Sequence, residues 1–209
     1  MKVPTERFDE IVNDEAWKPF FGWHGDHVQF EKTAAYLPAI QQSRAEFFEF
    51  TEAMLSVFAF RSRPLTCLQL GLGPSGCSHA LWHCIFDEVL TIERDANIVA
   101  NFRARCPSWA NEVLLADTGS NEALRFARNQ DQPFDLIFVD AGHRLEEVRN
   151  DWQLYATLGH GIIALHDACY RPTYGDEIGV YLLVQELERQ GVHFSVIDMD
   201  GIGIAWHKL

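Results

Sequence analysis

The feature that most constrains the fold is a regular alternation of short apolar runs and helical runs that begins near Arg63. Apolar runs such as TCLQLGL and FDLIFVD are bounded by glycines and acids, and each is followed by a run of helix-forming residues. Strands that are apolar almost throughout are typical of a parallel sheet with helices on both faces. The pattern predicts strands at 66–72, 88–94, 112–117, 134–140 and 161–167, and helices at 75–86, 96–106, 120–129, 144–158 and 177–190.

The two ends of the chain complete this plan. The run HFSVIDMDGIGIAWHKL at 193–209 predicts two strands around Asp200 and Gly201, a dipeptide typical of a hairpin. We therefore predict a doubly wound α/β fold, a mostly parallel seven-stranded sheet with a C-terminal antiparallel hairpin. Residues 1–62 are rich in Ala, Leu, Glu and Phe and predict an N-terminal helical segment, a substrate cap or a dimer contact, before one α/β domain at 63–209.

Composition excludes several classes of function. The net charge of −13 argues against nucleic acid as a partner, because a negative surface repels a phosphate backbone. The lysines stand at 2, 18, 32 and 208, so a P-loop lysine, a Schiff base and a Tyr-x-x-x-Lys dehydrogenase site are excluded. Five cysteines without zinc-type pairing and a start without an apolar signal region favour a reduced, cytoplasmic protein. No apolar run is long enough to span a bilayer, so no membrane partner is expected.

A glycine-rich turn follows the first predicted strand. In GLGPSGCS, the glycines Gly71, Gly73 and Gly76 have G-x-G-x-x-G spacing, which permits a tight turn and a close approach of ligand to backbone. Many α/β folds have glycines here for turn geometry alone, so the loop indicates a ligand only in general terms. The next strand ends in Glu93, 22 residues after Gly71, a distance that suits a carboxylate bonded to a ribose diol. A solvated strand end or a helix cap is the alternative reading of Glu93.

Four successive strands end in acids, namely Glu93, Asp117, Asp140 and Asp167. Because the carboxyl ends of parallel strands meet at one edge of the sheet, these acids would concentrate negative charge there. Such an edge repels a pyrophosphate. It suits a cofactor that combines a sulfonium, an ammonium and a nucleoside, or a bound metal ion.

These features together resemble the class I S-adenosylmethionine-dependent methyltransferases over roughly residues 63–209. The stretch FDLIFVDAGHRLEEVRNDWQLYATLGHGIIALHD (134–167) resembles the small-molecule O-methyltransferases of the macrocin and mycinamicin type. Their pattern is a strand ending in Asp, a His three residues later, an acid further along the helix and an acid pair after the next strand. The resemblance implies a Rossmann-like methyltransferase fold, S-adenosylmethionine as cofactor and a small-molecule hydroxyl as methyl acceptor.

The resemblance also implies roles in cofactor binding. Gly71, Gly73 and Gly76 would shape the cofactor loop, with Ser78 near the methionine carboxylate. Glu93 would hold the ribose hydroxyls. Two further acids complete the implied cofactor site, Asp117 beside the adenine amino group and Asp140. The sequence departs from the family at Gln69, which stands where an acid often precedes the first glycine.

The resemblance also implies a group of residues for proton removal and metal binding. His143 would be the general base, because an imidazole titrates near neutrality, and Asp140 would orient it or hold a metal. The implied metal ligands are Asp140, His166 and Asp167. Because His166 replaces a carboxylate of the family's acid pair, Mn²⁺, Fe²⁺ or Zn²⁺ becomes more plausible beside Mg²⁺. The alternatives are a capping or packing role for His143 and a hydrogen-bonded strand-end role for His166.

Other candidate residues have weaker signals. His79 and His83 lie four residues apart, but without a neighbouring acid they are interpreted as helix-surface or packing residues. Asp151 is expected to face solvent. Outside these helices, His24 and His27 form an H-x-x-H pair without a third ligand in register. The loop after the fifth strand has the composition of a substrate-contacting lid, with Tyr170, Arg171 and Tyr174 as its candidates.

Two other functions share these features. An NAD-dependent oxidoreductase also has G-x-G-x-x-G and a distal acid, although the crowded carboxylates and the absent core lysine argue against it. A non-catalytic cofactor-binding member of the methyltransferase fold is kept open by Gln69.

Overall fold

The computed structural model describes residues 44–58, 62–169, 178–198 and 203–209. Within these ranges, two single turns of 3₁₀ helix, Pro107–Trp109 and Ala156–Leu158, accompany six α-helices and seven β-strands. The helices are α1 (Arg44–Phe58), α2 (Cys77–Trp82), α3 (Ala96–Arg105), α4 (Asn121–Arg128), α5 (Leu145–Tyr155) and α6 (Gly179–Arg189). The strands are β1 (Thr66–Leu70), β2 (Glu88–Glu93), β3 (Val113–Leu115), β4 (Phe134–Val139), β5 (Gly159–His166), β6 (Ser195–Ile197) and β7 (Ile204–Lys208).

The strands form one sheet in the order β3-β2-β1-β4-β5-β7-β6. The first five strands run parallel, and β7 pairs antiparallel with both β5 and β6. The predicted fold class is therefore confirmed, including the antiparallel hairpin at one edge. Because the chain proceeds outward from β1 on one side and from β4 on the other, the strand order reverses between these two strands. Open α/β sheets bind ligands at this reversal, outside the carboxyl ends of the strands.

Helices cover both faces of the sheet and bury it. On one face, Trp82 of α2 is fully buried and contacts Phe47 of α1 and Phe138 of β4, with ring centroids 5.1 Å apart in both pairs. On the other face, α4, α5 and α6 bury residues such as Val148 and Leu183 against the same strands. Helix α1 thus packs on the α/β domain, while residues 1–43 of the predicted N-terminal segment lie outside the described residues.

The predicted element boundaries differ from the observed ones mainly where local turns compete with regular structure. Strand β3 ends at Leu115 instead of 117, because the Asp117 side chain accepts a hydrogen bond from the Gly119 backbone at 2.8 Å and starts a turn. Helix α3 begins after Asp95, whose carboxylate accepts hydrogen bonds from two N–H groups of the first turn. Helix α2 is shorter than predicted, at six residues, because left-handed Gly76 precedes it and the chain turns after His83.

No helix among the described residues is long and apolar enough to cross a bilayer. None of the five cysteines, all within the described ranges, forms a disulfide.

Candidate functional site

A cavity of about 420 Å³ opens at the reversal point of the sheet, beside the carboxyl ends of β1 and β4. Its walls come from the loops that follow β1 to β4 and from the end of β5. It brings together most of the site residues predicted from the sequence: Gly71, Gly73, Ser78, Glu93, Asp117, Asp140, His143 and His166. Two predicted residues lie just behind this wall, Gly76 against the Phe102 ring and Asp167 against His143.

The glycine-rich loop is held close to the end of β4. The Gly71 N–H donates to the Ile92 carbonyl at 2.9 Å, and a Cβ at Gly71 would lie 2.0 Å from the Asp140 carbonyl oxygen. The backbone at Gly73 has a φ of +67°, and no described atom lies within 4 Å of where its Cβ would be. The loop therefore presents bare backbone to the cavity at Gly73, whereas Gly76 serves the packing of α2.

Gln69, the residue at which the sequence departs from the family pattern, makes hydrogen bonds within the protein. Its buried side-chain amide donates to the Ser78 hydroxyl at 2.7 Å and to the Gly71 carbonyl. Among the described residues its Oε1 has no hydrogen-bond partner. Gln69 thus positions Ser78 and the start of the glycine loop, a role that an anionic side chain could not perform as a donor.

The Glu93 carboxylate accepts hydrogen bonds from two backbone N–H groups. Its Oε2 accepts a hydrogen bond from Leu72 N–H and its Oε1 one from Asp95 N–H, both at 2.9 Å. With the residue only 8% exposed, a solvated strand end is excluded. Each oxygen keeps a second lone pair, so the carboxylate can still accept hydrogen bonds from a ligand in the cavity. Asp117, in contrast, is exposed at the rim.

Asp151 does not face solvent as expected from the sequence. It is 1% exposed, lines the cavity, and its pKa is raised to about 6, mainly by burial. The signal was present in the sequence: Val148, Asp151 and Tyr155 have the spacing of one helix face, and all three are buried in α5. Asp151 is a site residue that the sequence interpretation missed.

Two acids and two histidines form what we call the Asp/His cluster: Asp140, His143, His166 and Asp167. The His143 Nε2 lies 3.0 Å from the Asp167 carboxylate and 3.7 Å from that of Asp140. The His166 Nδ1 lies 3.2 Å from Asp140 Oδ1 and 3.3 Å from Asp167 Oδ2. Asp167 has a left-handed backbone, with a φ of +59°. This uncommon conformation of a non-glycine residue is often found at functional sites.

Charges in the Asp/His cluster are strongly interdependent. Close contacts with Asp140 and Asp167 raise the pKa of His143 to about 10. Burial alone would lower the pKa of His166, but the same two carboxylates hold it well above its ordinary value. Burial opposes ionisation of the acids, yet the histidines, His166 foremost, hold the pKa values of Asp140 and Asp167 below their ordinary range. His143 would therefore be protonated at neutral pH while both carboxylates keep their full charge.

The donor atoms of the cluster also meet the requirements of a metal site. One atom each from Asp140, His166 and Asp167 lies within 4.8 Å of the others. The contact between His143 Nε2 and Asp167 Oδ2 is short but lacks hydrogen-bond geometry, and among the described residues neither atom has a hydrogen-bond partner. Two carboxylates and an imidazole that converge in this way fit a divalent cation, which would neutralise the charge of the carboxylates.

His79 and His83 have the acidic neighbour that the sequence interpretation lacked. His79 is fully buried, and both rings contact Glu112, which lies just before β3. Of the two predicted alternatives for His79, the packing role therefore holds and the helix-surface position does not. The remaining candidates, His24 and His27 and the lid residues Tyr170, Arg171 and Tyr174, lie outside the described residues.

Comparison with known proteins rests on the fold. No family model matches the chain, and no curated protein matches it in sequence. Among solved structures, cofactor-bound Rv0187 from MTB superposes with a TM-score of 0.62 at 18% identity, covering 100% of this chain and 97% of that one. The O-methyltransferase from Bacillus cereus in complex with S-adenosylhomocysteine gives 0.56 at 16% identity, covering 84% and 86%.

The chain has the class I methyltransferase fold. A third neighbour is the MycE methyltransferase of the mycinamycin biosynthetic pathway, solved with Mg and S-adenosylhomocysteine, with a TM-score of 0.55 at 18% identity. That alignment covers 78% of this chain and 49% of MycE, so the chain spans about half the length of that enzyme. The methyltransferase fold and the structural resemblance to MycE agree with the expectation from the sequence.

Proposed function

We propose that this protein is an S-adenosylmethionine-dependent methyltransferase that methylates a hydroxyl group of a small molecule. One observation carries the proposal: a single cavity at the reversal of the sheet combines the glycine loop and Glu93 with His143 and Asp140. The first pair of features suits a nucleoside cofactor, and the second pair suits removal of a proton from an acceptor. Methyltransferase neighbours that contain S-adenosylhomocysteine support the same function.

The cofactor half of the site follows from hydrogen-bonding capacity and charge. Glu93 would accept hydrogen bonds from the ribose hydroxyls, and Asp117 would lie by the adenine amino group. The open backbone at Gly73 and the Ser78 hydroxyl would receive the methionine part. When bound, S-adenosylmethionine supplies a methyl group on a positively charged sulfur, and the acidic lining of the cavity attracts that charge.

The catalytic half of the site must take a proton from a weakly acidic hydroxyl. His143 faces the cavity, its side chain is 33% exposed, and we assign it as the general base with Asp140 as its orienting partner. A base must be unprotonated, whereas close contacts with the carboxylates of Asp140 and Asp167 raise the pKa of His143 to about 10. A divalent cation held by Asp140, His166 and Asp167 would offset those charges and favour the neutral ring.

The chemistry of the ligands limits which ion the Asp/His cluster would prefer. With an imidazole among the ligands, Mn²⁺, Fe²⁺ and Zn²⁺ fit as well as Mg²⁺. When bound, the ion supplies Lewis acidity that makes an acceptor hydroxyl easier to deprotonate. We further propose a cytoplasmic protein whose partners are small molecules, with a homodimer formed through the N-terminal segment.

Ligand binding tests the cofactor assignment. We expect S-adenosylmethionine and S-adenosylhomocysteine to raise the melting temperature of the protein and NAD(H) to leave it unchanged, with a stabilisation of about 2.7 kcal/mol at 100 times the Kd. Differential scanning fluorimetry with all ligands at equal concentration is the measurement. Stabilisation by NAD(H) alone would support the oxidoreductase alternative. Binding of S-adenosylmethionine without transfer of a labelled methyl group to a panel of phenols and sugars would favour a non-catalytic protein.

Substitution Glu93→Gln is expected to weaken S-adenosylmethionine binding by about 10–100-fold, because each hydrogen bond to a charged group is worth about 1.5–3 kcal/mol. A carboxamide also offers only one acceptor oxygen to the two N–H groups of Leu72 and Asp95. Isothermal titration calorimetry measures the change. The matched control is Glu88→Gln, an exposed glutamate at the other end of β2, which should bind as the wild type does. Equal affinity in Glu93→Gln and wild type would remove Glu93 from the cofactor site.

A further inference from the structure

A second group of metal-ligand side chains lies outside the cavity. His79 in α2, His83 at its C-terminal end and Glu112 before β3 place one ligand atom each within 4.8 Å of the others. None of the three lines the described cavity. We propose that His79, His83 and Glu112 form a three-ligand zinc site, separate from the Asp/His cluster, that connects α2 to the segment leading into β3.

The geometry of the ligands is the first argument. Residues four apart lie on the same face of a helical turn, so both imidazoles point to one side. The Nε2 atoms of His79 and His83 lie 3.1 Å and 2.6 Å from the same oxygen, Glu112 Oε2. Ligands at about 2.0–2.1 Å from a tetrahedral zinc stand about 3.3–3.4 Å apart, so shifts of less than about 1 Å would admit the ion. Two imidazoles and a carboxylate are an established zinc ligand set, with a fourth position left for water.

The surroundings of the ligands are the second argument. The buried Thr91 hydroxyl lies 2.8 Å from His79 Nδ1. One ring nitrogen of His79 is thus held by Thr91, while the other, Nε2, faces Glu112. Metal-ligating histidines commonly have such an outer partner. The His83 ring stacks on Trp109 with centroids 4.5 Å apart, and Phe102 meets the His79 ring edge-on at 5.1 Å. Both rings are thus fixed in orientation within an apolar shell.

The position of the site in the fold is the third argument. Because α2 directly follows Gly76, an ion here would stabilise the helix that supports the glycine loop.

Zinc titration of chelator-treated full-length protein against a chromophoric zinc indicator tests the site. The titration uses protein with the Asp167→Asn substitution, so that the Asp/His cluster binds less of the added zinc. We expect His83→Gln and Glu112→Gln to weaken zinc binding by more than about 100-fold, because even changes to outer-shell partners cost about 10–100-fold. Both residues are partly exposed, so folding should tolerate these changes. The matched control is His160→Gln, at the start of β5 and outside both clusters, which should retain zinc.

A second measurement separates a metal site from a hydrogen-bonded triad. Thr91→Val preserves the shape of a buried strand residue but removes the hydroxyl beside His79, and it should weaken zinc binding by about 10–100-fold. In the same Asp167→Asn background, zinc should also raise the melting temperature, and Glu112→Gln should remove this increase. Far-UV circular dichroism in metal-free buffer checks that each variant folds. The proposal is overturned if the Asp167→Asn protein binds no zinc, or if adding His83→Gln to it leaves the zinc affinity unchanged; the three residues would then be a hydrogen-bonded triad.

Discussion

Replacement of His143 by alanine is expected to slow the proposed methyl transfer by about 10²–10⁴-fold while leaving S-adenosylmethionine affinity nearly unchanged. The ring lies at the cavity wall, with its Nε2 3.0 Å from Asp167, and we have assigned it as the general base. It is 33% exposed, so its removal leaves no large internal void. Single-turnover transfer of a labelled methyl group measures the rate, using an acceptor found in the panel of phenols and sugars, and calorimetry measures the affinity.

Two controls distinguish a base from a residue that only supports the site. His160→Ala changes a histidine at the start of β5, at the end of that strand opposite His166, and should leave the rate unchanged. Added imidazole should partly restore the rate of His143→Ala, because a small base can enter the space that the ring vacates. A His143→Ala variant as fast as the wild type would show that His143 is not the base. Loss of rate together with loss of cofactor affinity would indicate a structural role.

The fold was predictable from the sequence because its pattern is repeated and local. Five apolar runs alternate with helical runs, and a parallel sheet is the arrangement that buries such strands on both faces. The position of the site follows from the same rule, since the residues that end parallel strands converge at one edge. Glu93 and Asp140 could therefore be assigned to one cavity although 46 residues separate them in the sequence.

Other parts of the site depend on tertiary packing that a strand-end rule does not reveal. Glu112 meets His79 and His83 only because the loop after α3 returns beside α2, a contact across 29 to 33 residues. The prediction for Asp151 is wrong for a different reason: an acid in a polar helix is expected to face solvent, but Asp151 lies on the face of α5 that also buries Val148 and Tyr155. The left-handed backbone of Asp167 could not be predicted either, because aspartate adopts it more often than most non-glycine residues but still uncommonly, so the packed site must select it.

Substitution Gly71→Ala is expected to lower the free energy of unfolding by about 2–5 kcal/mol. Two costs combine. A left-handed backbone disfavours a Cβ by about 1–2 kcal/mol, and overpacking adds about 1–3 kcal/mol. The overpacking is unavoidable because the new Cβ would lie 2.0 Å from the Asp140 carbonyl oxygen, and a backbone atom cannot rotate away as a side chain can.

The chain contains a nearly matched control for this prediction. Gly191 has a φ of +91°, against +90° at Gly71, and no described atom lies within 4 Å of its would-be Cβ. Gly191→Ala therefore measures the backbone cost alone, and the difference between the two variants in urea denaturation measures the cost of the close approach. Because Gly71 belongs to the glycine loop that lines the cavity, Gly71→Ala should also weaken S-adenosylmethionine binding, whereas Gly191→Ala should not. Equal destabilisation of the two variants would mean that the end of β4 yields easily, and that glycine is required at 71 for its backbone angle and not for the contact.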